Sequence, residues 1–319
     1  MDGAIIKTLY NSSFWCKFVL ILSVFILYYL LTTKSTTVEG FVQRDKFVIK
    51  EGTAIYDSFY ASIYDDLVQD KVKNEYEVGT IINLTKPNNQ SLILDIGSGT
   101  GHHVAAFNSK NINAIGLDKS QSMVAVANKK YPKLEFNVGD TNDVMLYPAH
   151  TFTHITCLYF TIYYIKDKFS FFRNCYEWLK PGGYLVIHTV NKDKFDPILN
   201  AANPFSSLSV QNYAKERVTT SFIKFHDFKY RANFILDENT ENAKFEETFT
   251  DDNGKVRKNI HKMFMPTQEE IDKYYYYTNP NEANIVIRLN HKTFLQYYFN
   301  VSTHFIWCYF LIFNFIFIH

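Results

Sequence analysis

Seven residues, Asp95-Ile96-Gly97-Ser98-Gly99-Thr100-Gly101, hold the densest chemical potential in the chain. Glycines at alternate positions let a backbone turn sharply and approach a bound molecule closely. A helix opening behind them would turn free N–H groups toward an anion. The spacing is not the dinucleotide fingerprint G-x-G-x-x-G/A. Counted from Gly97 the third position is His102, and counted from Gly99 it is Val104. Upstream, Tyr60 and Tyr64 are four apart and share one face of a helix. His102, His103, His154 and His188 lack metal-ligand spacing. His188 is the best-placed imidazole for a general base, and a packed histidine is the competing reading.

Such a loop needs a strand before it and a helix after it. Leu92 to Leu94 is a short apolar run ending at Asp95, and Ala114 to Leu117 is a second, ending at Asp118. Leu134 to Val138, His154 to Tyr159 and Tyr184 to Ile187 follow, the last entered through Lys180-Pro181-Gly182-Gly183. Between them, 104–110, 120–130 and 168–179 carry helical periodicity. Strands alternating with helices predict an α/β fold: a Rossmann-like, doubly wound, mostly parallel sheet with its ligand edge at the strand C-termini. Further on, Phe228, Tyr230, Ala232, Phe234 and Leu236 alternate with polar residues, as in a half-buried antiparallel strand. Lys244 to Thr250 and Val256 to Met265 are its partners, joined through Asp251-Asp252-Asn253-Gly254. This inserted β-meander is either a cap that shapes a substrate site or a structural extension.

The G-x-G-x-G spacing with its preceding acid resembles the first motif of the class I S-adenosylmethionine-dependent methyltransferases, of the type 11/25-like domain. The resemblance continues in order along the chain. Asp118 stands where that family places an acid on the ribose hydroxyls. Lys119-Ser120-Gln121-Ser122-Met123 resembles the run whose Met lies near the adenine, and Gly139-Asp140 the pair whose acid accepts from the adenine amino group. Leu179-Lys180-Pro181-Gly182-Gly183 resembles the turn before the fifth strand. Phe59 to Leu67 resembles the tyrosine-aspartate segment folded over the cofactor. From it, Tyr60 and Tyr64 would reach the methionine carboxylate or pack helix on sheet. The resemblance implies S-adenosylmethionine as cofactor, held by Tyr60, Tyr64, Asp95, Gly97, Ser98, Gly99, Gly101, Asp118, Lys119, Met123, Asp140, Thr141 and Tyr159. It also implies a methyltransferase whose acceptor, whether small molecule, lipid or protein, is unassigned; a non-catalytic cofactor-binding scaffold is the alternative. The usual Phe-Asp pair at the fourth strand is Phe152-Thr153 here.

Composition sets the outer limits. Lys plus Arg number 33 against 32 Asp plus Glu, so the balance gives no reason to expect a nucleic-acid partner. Cys16, Cys157, Cys175 and Cys308 form no C-x-x-C pair, which argues for reduced thiols and against a disulfide framework or cysteine zinc site. Phe14 to Leu31 is apolar but for Lys17 and carries aromatics near its ends. With Thr32 and Thr33 it is about the twenty residues a bilayer core requires. A single-pass anchor is expected, its folded domain facing the cytosol by the weak excess of Lys and Arg that follows. A cleaved leader and a buried core helix are the rivals. The chain therefore divides into a tail (1–13), an anchor (14–33), a linker (34–50), a cofactor-binding core (51–200), a β-rich cap (201–265) and a C-terminal part (266–319). In that last part Thr267 to Glu270 is a capping box, and Ile285 to Leu289 is a possible strand. The apolar run from Phe305 is a buried strand, an interfacial segment or an aberrant end.

Overall fold

The computed structural model describes residues 14, 15, 18, 19, 21–25, 45–192, 219–225, 227–237, 240–278 and 285–290. The chain divides into two compact units, Met1–Gly40 and Phe41–His319. In the first, the described residues are helical, with Phe14, Trp15, Phe18 and Val19 exposed. Among the described residues no helix is long and apolar enough to cross a membrane. The expected anchor at 14–33 lies largely outside them, as does the apolar run at the C-terminus.

In the second unit the alternating pattern becomes a six-stranded sheet. Its strands are β2 (Leu92–Ile96), β3 (Asn113–Asp118), β4 (Phe136–Val138), β5 (Phe152–Cys157), β6 (Leu179–Thr189) and β11 (Ile285–Asn290). Their order is β11-β6-β5-β2-β3-β4, and every pairing is parallel. Helices cover it: α1 (Ser58–Val68), α2 (Lys71–Thr85), α3 (His102–Asn108), α4 (Gln121–Lys130), α5 (Thr161–Tyr164), α6 (Lys168–Trp178) and α7 (Gln268–Thr278). Burial on both faces explains why the strand runs are continuously apolar; in β2 all but Leu92 are buried. Val78 and Ile81 of α2 pack with Ile93, Val104, Phe107 and Val186 on one face. Ile155, Phe171, Trp178 and Ile187 pack on the other.

Local chemistry fixes where the helices start. Asp57, Asp70, Ser120 and Asp167 each accept a backbone N–H from the first turn of the helix they precede. Before α7 the expected capping box forms in both directions. Thr267 N–H donates to Glu270 Oε2 at 2.7 Å, and Glu270 N–H to Thr267 Oγ1 at 3.2 Å.

Strands β3 and β4 lie to one side of β2, whereas β5 and β6 lie to the other. The winding reverses between β2 and β5, and a crevice opens outside the carboxyl ends of strands at such a reversal. The Gly-rich loop leaves β2 at this point, and α5 follows β5 beside it.

The meander is present as part of a second sheet, in the order β1-β10-β9-β8-β7. Its strands are β1 (Phe47–Glu51), β7 (Thr220–Lys224), β8 (Phe228–Leu236), β9 (Asn242–Asp251) and β10 (Val256–Phe264). The segment expected as a linker thus ends in a strand, β1, which pairs in parallel with β10. In β8 the inward residues Phe228, Tyr230, Ala232 and Phe234 are buried, and Lys229 and Arg231 are exposed, as the alternation predicts. The inward face meets α1, where Phe59 packs edge-on against Phe228 and Phe249 at 6.1 and 5.5 Å between ring centres.

Candidate active site

The Gly-rich loop is stitched to the end of β3. Gly97 and Ser98 N–H groups both donate to Leu117 O, at 2.7 and 3.1 Å. One residue on, Gly99 N–H donates to Asp118 Oδ2 at 2.9 Å, and Ser120 N–H to Asp118 Oδ1 at 2.8 Å. Two backbone donors therefore aim the Asp118 carboxylate. Burial raises its pKa, and the Ser120 and Gly99 amides pull against that rise. Gly99 has φ +54°, and a Cβ built on it would meet only Tyr64, at 3.6 Å. A cradle that a single carbon would fill thus lies between the bare backbone of Gly99 and the Tyr64 ring, with Asp118 beside it. The residues present fit a cofactor with a vicinal diol: bare glycine backbone, a neighbouring aromatic ring and an acceptor-only carboxylate.

Asp65 holds α1 in place over this loop. Its carboxylate bonds Thr100 Oγ1 at 2.5 Å, His102 Nε2 at 2.9 Å and the Lys130 ammonium. Four elements, α1, the loop, α3 and α4, are thereby tied at one side chain. The tyrosines diverge from there. Tyr64 lies over Gly99, whereas the Tyr60 hydroxyl donates to Glu247 of β9 at 3.0 Å.

Other expected cofactor residues fall into distinct settings. Lys119 Nζ and Asp140 Oδ2 form an exposed ion pair at 2.7 Å, and Asn142 N–H donates to Asp140 Oδ1. Thr141 lies next to this pair and accepts through its carbonyl from Asn174 Nδ2 at 2.8 Å. Met123 is fully buried at the first turn of α4. The Ser98 side chain faces β3, where a Cβ on Gly116 would lie 2.6 Å from its Oγ. The Ser98 backbone is engaged as well, its N–H by Leu117 O and its carbonyl by Gly101 N–H at 2.9 Å. Gly101 has φ +87°, and a Cβ there would strike Phe136 at 2.6 Å. Gly97 is similarly crowded by Thr161 of α5.

Asp95 and Tyr159 belong to a second polar group, beneath α2. Asp95 is buried and accepts from Thr156 Oγ1 at 2.7 Å. Tyr159 donates to Asn74 Oδ1 at 2.9 Å, and Lys73 Nζ lies 3.2 Å from its ring centre. Close by, the Glu77 carboxylate bonds His103 Nε2 at 2.9 Å and Lys73 Nζ at 3.3 Å, with His188 Nδ1 at 3.5 Å. The candidate base His188 is therefore packed inside a buried charge cluster.

A third group is built by the second sheet. The inward positions of β10 are Arg257, Asn259, His261 and Met263, all buried. Arg257 grips both oxygens of Asp57, at 3.0 and 2.9 Å. Glu247 on β9 accepts from Tyr60 and Tyr230 at Oε1, and from Asn259 and His261 at Oε2. The other nitrogen of His261, Nδ1, is 3.1 Å from the Tyr164 hydroxyl at the end of α5. Sequence reasoning assigned none of Glu247, Asn259 and His261 a role. The signal was available: strict alternation in Val256 to Phe264 sends Arg257, Asn259 and His261 to the inward face, where apolar residues are expected.

Three comparisons with known proteins bear on this arrangement. Residues 93–183 match the model of a methyltransferase domain. Over 144 residues the chain is 33% identical to the dTDP-4-amino-2,3,4,6-tetradeoxy-D-glucose N,N-dimethyltransferase of Saccharopolyspora spinosa, covering 43% of this chain and 57% of that protein. Over 104 residues it is 31% identical to the phosphoethanolamine N-methyltransferase of Plasmodium falciparum, covering 31% and 39%. The chain thus spans less than two thirds of either relative. Among solved structures, the CcbJ methyltransferase of Streptomyces caelestis matches with a TM-score of 0.55 at 13% identity, over 72% of this chain and 88% of that one. At that identity the likeness concerns the fold.

Proposed function

We propose that this chain, whose core is that of a class I S-adenosylmethionine-dependent methyltransferase, transfers a methyl group from that cofactor to the nitrogen of an amine. The cradle at the sheet's reversal carries this reading: Gly99 below, Tyr64 above and the aimed carboxylate of Asp118 beside them. When bound, S-adenosylmethionine supplies a methyl carbon on a positively charged sulfur, ready for in-line displacement. The protein's part is to hold the two reactants in register and keep water out. Asp118 would accept from the ribose hydroxyls. Tyr64 would cover the cofactor, and Asp140 would accept from the adenine once Lys119 shares its oxygen. An amine is favoured as acceptor because both curated relatives above are named for methylating nitrogen.

Two measurements test this. Isothermal titration with S-adenosylmethionine should give one site per chain. Release of S-adenosylhomocysteine should follow on adding phosphoethanolamine or a dTDP-amino sugar, and not on adding the matching alcohols. Cofactor binding without turnover on any amine would favour a binding scaffold instead.

We further propose that the apolar run Phe14 to Leu31 holds the domain at a membrane, on its cytosolic side. The support is the composition of that run and the positive charges after it.

A further inference from the structure

We propose that Tyr164, His261 and Glu247 form a proton relay that takes the proton from the acceptor amine, an inference that rests on the methyl-transfer reading above. A β-sheet packed on a domain ordinarily turns apolar residues inward. Here β9 and β10 turn a carboxylate and an imidazole inward instead, with Glu247 0% and His261 2% exposed. Burying such groups is costly, and apolar residues of similar volume would serve packing as well or better.

The hydrogen bonds fix who donates to whom. Glu247 carries four donors on its two oxygens, which leaves it no room for a further ligand. Burial pushes its pKa up, but the neighbouring His261 and the hydrogen bonds from His261, Asn259 and Tyr230 bring it below the ordinary value. An ionised carboxylate only accepts. His261 must then carry its proton on Nε2, 2.7 Å from Glu247. In the neutral ring this tautomer leaves Nδ1 bare, and the Tyr164 hydroxyl, 3.1 Å away, is then the donor there. The order Tyr164 to His261 to Glu247 has a single direction.

Tyr164 is the outer member of the relay. Tyr164 is 37% exposed, in contrast to the two groups behind it. It ends α5, whose other end, Thr161, abuts Gly97 of the Gly-rich loop. Two anchors hold that turn. Tyr163 exchanges hydrogen bonds with Val190 N–H and O, and Lys168 Nζ joins Ile165 O to Phe264 O of β10 at 2.9 Å each. The groups facing His261 are Tyr56 and Tyr60 on the α1 side, Tyr164 on α5, and Phe245 and Glu247 on β9. Tyr230 of β8 reaches it through Glu247, and Arg257 of β10 is turned to Asp57.

An alkylammonium has no lone pair and cannot attack a methyl carbon. In the proposed step one N–H bond breaks and its electron pair stays on nitrogen. The proton passes to the Tyr164 oxygen while the hydroxyl proton of Tyr164 passes to His261 Nδ1. The imidazolium that results lies against the Glu247 carboxylate, which balances its charge. After the product leaves, the proton returns along the same path to water. Tyr164 touches the acceptor, and His261 and Glu247 act through it.

Nitrogen NMR of the full chain provides the first test. His261 should show a proton on Nε2 only, and Tyr164→Phe should shift the Nδ1 resonance without moving that proton. A proton on Nδ1 at neutral pH overturns the relay, whether or not an acceptor is in hand. With phosphoethanolamine as probe, Tyr164→Phe should lower kcat about 100-fold or more near neutrality. The loss should shrink at high pH, where the amine sheds its own proton. Cofactor affinity by titration should stay unchanged, which separates failure of the relay from failure of the methyl-transfer reading. Glu247→Gln, which can both donate and accept, should scramble the tautomer and flatten the same pH profile. A Tyr164→Phe enzyme with the wild-type pH profile would remove the relay.

Discussion

In the proposed function Asp118 would concentrate the cofactor chemistry in one side chain, because two backbone donors fix its plane and burial sharpens its need for a donor ligand. Asp118→Ala should weaken S-adenosylmethionine binding by about 1.5–3 kcal/mol, the usual cost of a lost charge-assisted hydrogen bond. Titration calorimetry reads this directly. The pH dependence follows in sign. A carboxyl raised above its ordinary value gains a proton early as pH falls, and the protonated form is a poorer acceptor. Affinity should therefore decline on acidification in the wild type and stay flatter in the variant. Gly99→Val should be worse than either, since it forces a branched residue into φ +54° and fills the gap beneath Tyr64. These residues were legible in the sequence because glycine spacing and strand-end acids are local signals. Ser98, Asp95 and Tyr159 were less so: which way a side chain turns depends on partners such as Gly116, Thr156 and Asn74, far along the chain.

At the scale of elements, α2 shows why a helix can be hard to read. Its inward face carries Lys73, Asn74 and Glu77 beside Val78 and Ile81, so the apolar periodicity that marks a buried helix is broken. The apolar strand runs, by contrast, announced the parallel sheet plainly, and the alternation of Phe228 to Leu236 announced the second sheet. What alternation alone could not supply was β1, five residues whose partner lies on a distant strand. The charges under α2 make a stability prediction. Burial pushes the Glu77 carboxyl up, but Lys73, His103 and His188 more than reverse it, so the folded state holds it below the ordinary value of 4.5. A carboxyl depressed on folding stabilises at pH above its unfolded value, and that contribution is lost as pH falls from there. Glu77→Ala should cost about 3–5 kcal/mol at neutral pH, because Lys73 stays buried without its carboxylate. Pairing it with Lys73→Met should recover much of the loss. Urea melts at pH 7 and pH 4 would check both, and the gap between wild type and variant should narrow at the lower pH.

For the whole molecule, the division at Gly40 and Phe41 separates the apolar N-terminal run from every candidate site residue. A chain beginning at Phe41 should fold and bind S-adenosylmethionine with wild-type affinity by calorimetry. The full chain should stay with membranes after a carbonate wash, and its appearance in the supernatant would dismiss the anchor. Shortening the chain further, past Glu51, is another matter, because β1 is an edge of the sheet that carries His261 and Glu247.

That pairing also has a history in time. Phe47 lies against Val256, and Asp57 meets Arg257 across 200 positions of chain. Ribosomes add about 5–20 residues per second, so β1 leaves the exit tunnel on the order of 10–40 s before the strand it needs. For that interval it is an unpaired edge bearing Phe47 and Ile49, the kind of surface that joins wrong neighbours. The second sheet cannot close until β10 is made, although its first strand is among the earliest described parts of the chain.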